Sequence, residues 1–252
     1  GAGLLFYGVQ INISSGEYPD AMEEDSEHPY DWEEHYYGMV INLSKCIGCC
    51  TCMRTCRDEN FLGDQGFRTW VERYSIYENN EVSIDAPAFL QNHGKELQNP
   101  LYQLEYPPVG TDKAVRERFF VPKLCNHCAK PPCVQVCPVG STFQTRDGVV
   151  LIDHESCVGC AYCIQACPYG ARFWDEDKLC ANKCSFCYHR ITKGLSTACV
   201  QACPTGARVF GDLKDPNSPI YDAIHEEKAS VLKRLLGTEP KVYYTDIHEE
   251  IV

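Results

Sequence analysis

Positive charge is missing from the start of this chain: no Lys or Arg occurs before Lys45, while nine acids fall between Glu17 and Glu34. A nucleic-acid surface needs the opposite sign, so no nucleic-acid partner is expected. Anionic lipid would repel the same arm. Long apolar runs are missing too, and nothing approaches the roughly 18 to 20 residues of a membrane span. The nearest stretch, GAGLLFYGVQINI at the N-terminus, is too short. It fits the remnant of an apolar export segment, and a start at Gly rather than Met fits either processing or a preceding leader. No G-x-G-x-x-G follows a strand pattern, no P-loop is present, and no nucleophile–base signature stands out. The eight histidines have no zinc-ligand spacing. Bond-making chemistry has no visible machinery here, so no catalytic residue is assigned.

Cysteine is what the chain has in excess. Eighteen occur in 252 residues, about 7% and several times ordinary usage. Sixteen of them fall into four quartets: Cys46, Cys49, Cys52 and Cys56; Cys125, Cys128, Cys133 and Cys137; Cys157, Cys160, Cys163 and Cys167; Cys184, Cys187, Cys199 and Cys203. Only Cys50 and Cys180 are left over, and they read as small buried thiols.

The first and third quartets have the spacing C-x2-C-x2-C-x3-C, the bacterial ferredoxin run for a [4Fe–4S] cluster. Three cysteines on one loop converge on three corners of one cage, and the fourth, at the start of a helical segment, reaches the other cage of a pair. The second quartet widens the middle gap to four residues and the last widens it to eleven. Loop closure costs little extra with length, so both can still close. Proline follows the fourth cysteine in CPVGSTF, CPYGARF and CPTGARVF, which are near-repeats of one module. The first quartet continues as CRDEN instead.

Disulfides and zinc are the competing readings. Two-residue separations suit a metal or redox site better than a structural bridge. Structural zinc pairs two C-x2-C units across a long gap and lacks the third cysteine and the C-x3-C-P ending. Sixteen ligands fill four cubanes with none missing. Four oxidised cores at −2 each would take the formal charge of −12 to about −20. The cations suspected of offsetting it are Lys45, Arg54, Lys123, Lys130, Lys183 and Arg190. His127 and His189 lie inside ligand loops and are expected to hydrogen-bond or screen solvent rather than ligate.

The expected fold class is α+β: two interleaved bacterial-ferredoxin-like double-cluster modules with loop insertions, an N-terminal arm and a C-terminal helix. Strands are predicted at 37–43, 69–77, 116–124, 148–153 and 241–246, with 69–77 and 116–124 paired. Short helices are predicted through CTCMRTCRDEN and CAYCIQAC, and a longer one over 220–236 stopping at Gly237. The expected organisation is an acidic arm at 1–36, a first module from 37–77 and 178–215, and an insertion at 78–115. A second module covers 116–177, and the C-terminal helix and strand cover 216–252.

The motifs CNHCAKPPCVQVCP, CPYGAR, KCSFCYHRITKG and ACVQACPTGARVFGDL, in this order, resemble the electron-transfer (beta) subunit of the dimethyl-sulfoxide-reductase superfamily of molybdenum enzymes. The polysulfide, thiosulfate and tetrathionate reductase branch, with related menaquinone-linked complexes, is the most similar. The resemblance covers roughly residues 37 to 215. It implies that quartets one and four share a module and quartets two and three share the other. Cys46, Cys49, Cys52 and Cys203 would hold one cluster, and Cys184, Cys187, Cys199 and Cys56 its neighbour. Cys125, Cys128, Cys133 and Cys167 would hold a third, and Cys157, Cys160, Cys163 and Cys137 the fourth. Some relatives carry a [3Fe–4S] cluster where a ligand is replaced; every ligand position here is Cys, so four [4Fe–4S] clusters are expected.

Four one-electron centres without substrate machinery describe a wire whose work is to set distances and potentials. The resemblance implies a relay between a molybdopterin-type catalytic subunit and a membrane-integral quinone-reactive subunit, with no turnover of its own. It also implies peripheral attachment to the membrane, on its periplasmic (outer) face, although no twin arginine is present in the sequence. The alternatives are a relay in a menaquinone-linked complex whose metal-free large subunit is fed by a multihaem cytochrome c, a free-standing soluble polyferredoxin, or a protein that uses clusters only as staples.

Overall fold

The computed structural model describes residues 30–63, 66–87, 106, 114–226 and 228–248. Most of the acidic arm and most of the 78–115 insertion lie outside the described residues.

The strand expected at 37–43 is β1 (Tyr37–Asn42), buried along its whole length. It is the middle strand of a sheet, antiparallel to β9 (Arg208–Asp212) and parallel to β10 (Val242–Thr245). The segments that flank the first and last quartets therefore hydrogen-bond to each other, from opposite ends of the sequence. Helix α6 (Pro219–Glu226) packs on β1 and β9, with Ile220 completely buried. Covering both faces with apolar groups is what lets an alternating strand pattern become a fully buried strand.

The helix expected over 220–236 is shorter than its periodicity suggested. α6 ends at Glu226, and Lys228 and Lys233 take left-handed backbone angles that a helix cannot carry. Ser230 instead exchanges two backbone hydrogen bonds with Tyr244 of β10. A 3₁₀ turn at Arg234–Leu236 then ends at Gly237. Ile220 and Leu232 both remain buried, so the apolar positions are satisfied along a broken path.

β2 (Thr69–Tyr77) and β4 (Val115–Leu124) pair antiparallel, as their alternation predicts, from Thr69 opposite Leu124 onward. The insertion is not purely a surface loop at its start. Asn80 turns the chain through a positive φ, and β3 (Val82–Asp85) returns along β2, fastened by an Arg73–Asp85 ion pair at 2.8 Å. Two hairpins complete the sheets: β5 (Thr142–Gln144) with β6 (Val150–Ile152), and β7 (Arg172–Asp175) with β8 (Cys180–Lys183).

Helices are short. α1 (Thr51–Glu59) carries Cys52 and Cys56 on its buried face. Single turns follow at α2 (Pro132–Gln135), α3 (Tyr162–Gln165), α4 (Tyr188–Ile191) and α5 (Ala198–Gln201). Buried apolar side chains of the larger sheets include Met39, Ile41, Val71, Ile76, Val121 and Tyr244, and the Tyr244 hydroxyl donates to the Pro122 carbonyl at 3.0 Å. A smaller core joins Cys133, Val150, Cys163 and Ala181. Among the described residues no helix is long and apolar enough to cross a membrane.

Candidate metal centres

Each quartet opens on a loop that passes through left-handed backbone: Gly48 and Cys50 in the first, His127 in the second, Gly159 and Ala161 in the third, Phe186 and Cys187 in the fourth. Such turns aim successive N–H groups into a concavity that favours anions. Gly48 has a further reason to be glycine, because a Cβ there would lie 2.4 Å from the Phe120 ring. At the other end, Gly140, Gly170 and Gly206 close one and the same turn by donating their N–H to the carbonyls of Cys137, Cys167 and Cys203 at 3.3–3.4 Å. The near-repeats of the sequence are thus repeats of backbone.

Cys46, Cys49, Cys52 and Cys203 line one cavity, with Cys50 as a fifth cysteine on its wall. Cys56, Cys184, Cys187 and Cys199 line a second. Cys128 is coupled electrostatically to Cys125, Cys133 and Cys167. No described cavity or coupling gathers Cys137, Cys157, Cys160 and Cys163 together, although Cys157 and Cys163 both act on Cys180. Cys49 and Cys160 are exposed, while Cys52, Cys56, Cys125, Cys128, Cys133, Cys163, Cys184, Cys187 and Cys199 are buried.

All eighteen cysteines are unbridged. Among the described residues, no group of three or more His, Cys, Asp or Glu is arranged to hold a single metal ion. A tetrahedral zinc site would bring its sulfurs within about 4 Å of one another; sulfurs spread around a cavity suit a larger cage.

Burial pushes the Cys52, Cys128 and Cys184 thiols up to about 12 and Cys56 well above its ordinary value. Left to themselves these groups would stay protonated; iron would hold them as thiolates. Cys137 goes the other way, to about 7: burial opposes ionisation, but the Ser141 hydroxyl and the N–H groups of Thr142, Val139 and Ser141 outweigh it. Elsewhere the Phe186 N–H donates to Cys184 Sγ at 3.4 Å and the Asn60 amide to Cys56 Sγ at 3.5 Å.

Of the six suspected cations, Lys183 is the buried one. Its Nζ donates to the Val150 and Cys184 carbonyls, and it acts on Cys125, Cys184 and Cys133. Lys123 is paired with Glu72, Lys130 with Glu239 and Arg190 with Glu59, while Lys45 is exposed and Arg54 half-buried. His127 is fully buried, and its Nδ1 accepts from the Val150 N–H at 3.1 Å. Burial, then Lys183 and Lys241, push its pKa well down. The ring is therefore neutral with its proton on Nε2, stacked on Phe186 at 3.7 Å. His189 Nε2 donates to the Glu59 carboxylate at 2.7 Å. Neither histidine is placed as a ligand.

Two residues went unnoticed in the sequence. Arg172 and Arg208 are 4% and 3% exposed, and both have guanidinium nitrogens with no hydrogen-bond partner: Nε and Nη2 of Arg172, Nη1 of Arg208. The signal that could have found them is their shared place in CPYGARF and CPTGARVF. Buried N–H groups without acceptors beside buried thiols are what an anionic group would complete. The donor set, cavities and orphaned cations fit [4Fe–4S] clusters.

Comparison with known proteins agrees. Residues 116–213 match a 4Fe-4S dicluster domain family, and residues 45–141 match another of the same description. The tetrathionate reductase B subunit of Salmonella typhimurium is 38% identical across 99% of this chain and 87% of its own length. The protein of the same name from Archaeoglobus fulgidus is 39% identical across 97% and 95%. The chain belongs to the iron–sulfur B-subunit family of the dimethyl-sulfoxide-reductase superfamily. Protein NrfC of Escherichia coli is another relative, 38% identical over 82% of this chain and 79% of its own. As a member of that family the chain is an electron-transfer component rather than a catalytic one, with two ferredoxin-like dicluster domains that provide for four [4Fe–4S] clusters.

Proposed function

We propose that this subunit relays single electrons between a molybdopterin-type catalytic subunit and a membrane-integral quinone-reactive subunit, at the periplasmic face of the membrane. The clusters supply one-electron redox chemistry when bound; the protein supplies ligands, spacing and charge. Its ligand sets are Cys46, Cys49, Cys52 and Cys203; Cys56, Cys184, Cys187 and Cys199; Cys125, Cys128, Cys133 and Cys167; and Cys137, Cys157, Cys160 and Cys163.

The observation that carries the reading is the gathering of Cys203 with the first quartet around one cavity and of Cys56 with the last around another. The antiparallel pairing of β1 with β9 supports the same exchange. The family matches run along the sequence through quartets one and two, then two to four, but chain order does not dictate which sulfurs face each other. Proximity of side chains does, and it favours interleaved modules. Because α1 holds Cys52 and Cys56 one turn apart, this single helix would carry a ligand for each of two neighbouring cages.

Anaerobic preparation should give about sixteen irons per chain, reducible clusters, and no reduction of an oxyanion or a quinone by the isolated chain. Turnover by that chain would refute the reading. Co-purification of a molybdopterin-containing chain is expected; a multihaem cytochrome c with a metal-free large subunit in its place would move the relay to that kind of complex.

A further inference from the structure

Five residues past the four fourth-position cysteines stand Phe61, Thr142, Arg172 and Arg208. Phe61 is exposed. Both arginines are buried, one in each of the two proposed modules, and each donates to a threonine. Arg208 Nη2 donates to Thr69 Oγ1 at 2.8 Å, and Arg172 Nη1 donates to Thr142 Oγ1 at 3.2 Å. Among the described residues neither has an acidic partner; Arg208 Nη1 is without an acceptor, and the remaining donors of Arg172 have only the Cys133 sulfur to turn to. Arginine does not lose its proton in a protein, so each is a permanent buried charge in search of an anion.

Their sulfur neighbours are what make the placement specific. Arg208 acts on Cys52 and Cys46 from one proposed ligand set and on Cys199 from the adjoining set. Arg172 acts on Cys133 and Cys125 from one set and on Cys163 from the other. Each guanidinium thus interacts with cysteines drawn from two of the proposed ligand sets. The backbone N–H of Arg208 also bonds Cys203.

We propose that Arg208 and Arg172 are the potential-setting residues of this subunit, each one a fixed positive charge with free donors shared by the two clusters of its half. This rests on the ligand sets proposed above. A cation and hydrogen-bond donors beside a cluster favour its reduced, more negative state, so each arginine raises two potentials together.

The test is a redox titration of the anaerobically prepared chain, followed by electron paramagnetic resonance, with iron counted in every sample. Cys49→Ser, Cys187→Ser, Cys128→Ser and Cys160→Ser each mark one signal. Arg208→Gln should lower the two signals marked by Cys49 and Cys187 and leave the other two in place, with iron unchanged. Arg172→Gln should do the reverse. Each affected oxidised-to-reduced ratio should change at least tenfold, 59 mV for a one-electron couple. Arg208→Lys keeps the charge and loses the fork, so it should lower the same two signals by less. If Arg208→Gln loads no iron, the Lys variant decides: two lowered signals support the inference, and four unmoved ones overturn it. Four unmoved signals in either Gln variant at full iron overturn it as well, while leaving the ligand sets standing. A shifted pair drawn from both halves overturns the ligand sets instead.

Discussion

Gly48→Ala is the sharpest test of how the first ligand loop is built. Two costs arise there, and the structure separates them. Gly48 sits at φ +70°, where an L side chain is strained by about 1–2 kcal/mol. Its new Cβ would also stand 2.4–2.6 Å from three atoms of the Phe120 ring, closer than such contacts can be. The ring is half-buried and leans on Tyr106 at 5.4 Å, so moving it resembles overpacking, about 1–3 kcal/mol. Gly140 supplies the control: it has the same φ of +70° with nothing within 4 Å of a Cβ. Gly140→Ala should therefore show the backbone cost alone, and Gly48→Ala the sum.

The assay is bleaching of cluster absorbance in mild denaturant under anaerobic conditions, where loss follows local opening of the ligand loop. The steric share predicts that Gly48→Ala bleaches about five- to 150-fold faster than Gly140→Ala. Adding Phe120→Ala to Gly48→Ala should close most of that gap once the loss from Phe120→Ala alone is subtracted. Equal rates for the two glycine variants would refute the reasoning, because the ring would then be yielding at no cost.

Cys50→Ala and Cys180→Ala should leave iron per chain unchanged: Cys50 shares the first cavity but its sulfur is engaged by the Gly48 carbonyl and the Tyr106 hydroxyl, and Cys180 is engaged by His154; a drop of about four irons in either variant would make it a ligand. Removing iron anaerobically should strip hydrogen-exchange protection from 132–135 and 150–152 before 71–76 and 119–121, because the smaller core is built partly from Cys133 and Cys163 themselves. Tyr244→Phe should cost about 1–3 kcal/mol by leaving the buried Pro122 carbonyl without its donor. Thermal scans at full iron loading would read it, and an unchanged transition would show that the bond is not needed.

Local chemistry was legible wherever the signal was local. Alternation found β1, β2 and β4, and the Asn79-Asn80 turn that starts β3 was visible in retrospect as a hairpin signal. The C-terminal helix was overextended because periodicity reports which positions are apolar, not whether the backbone between them stays helical. Here a long-range pairing decided the matter: Ser230 gives its N–H and carbonyl to Tyr244, and a residue bonded that way cannot also serve an i→i−4 ladder. That β10 lies parallel to β1 could not have been read from KVYYTD, since nothing in six residues says which edge they will join.

The site shows the same division. Cysteine spacing is a short-range property, so all four quartets could be picked out one by one. Charge compensation is not: of the six cations suspected near the quartets, Lys183 is buried beside the sulfurs, but Glu72 holds Lys123, Glu239 holds Lys130 and Glu59 holds Arg190. The cations that keep unsatisfied nitrogens are buried at the starts of β7 and β9, five residues past the cysteines they follow. A strand that begins there must turn its first side chain inward to complete the sheet's buried face. With Thr142 and Thr69 as acceptors, each arginine stays inside near cysteine sulfurs rather than turning out to water. Burying a permanent charge in this way is tolerable only beside an anion of comparable size, so the apolar packing of the strands and the electrostatics of the sulfur sites constrain the same two residues.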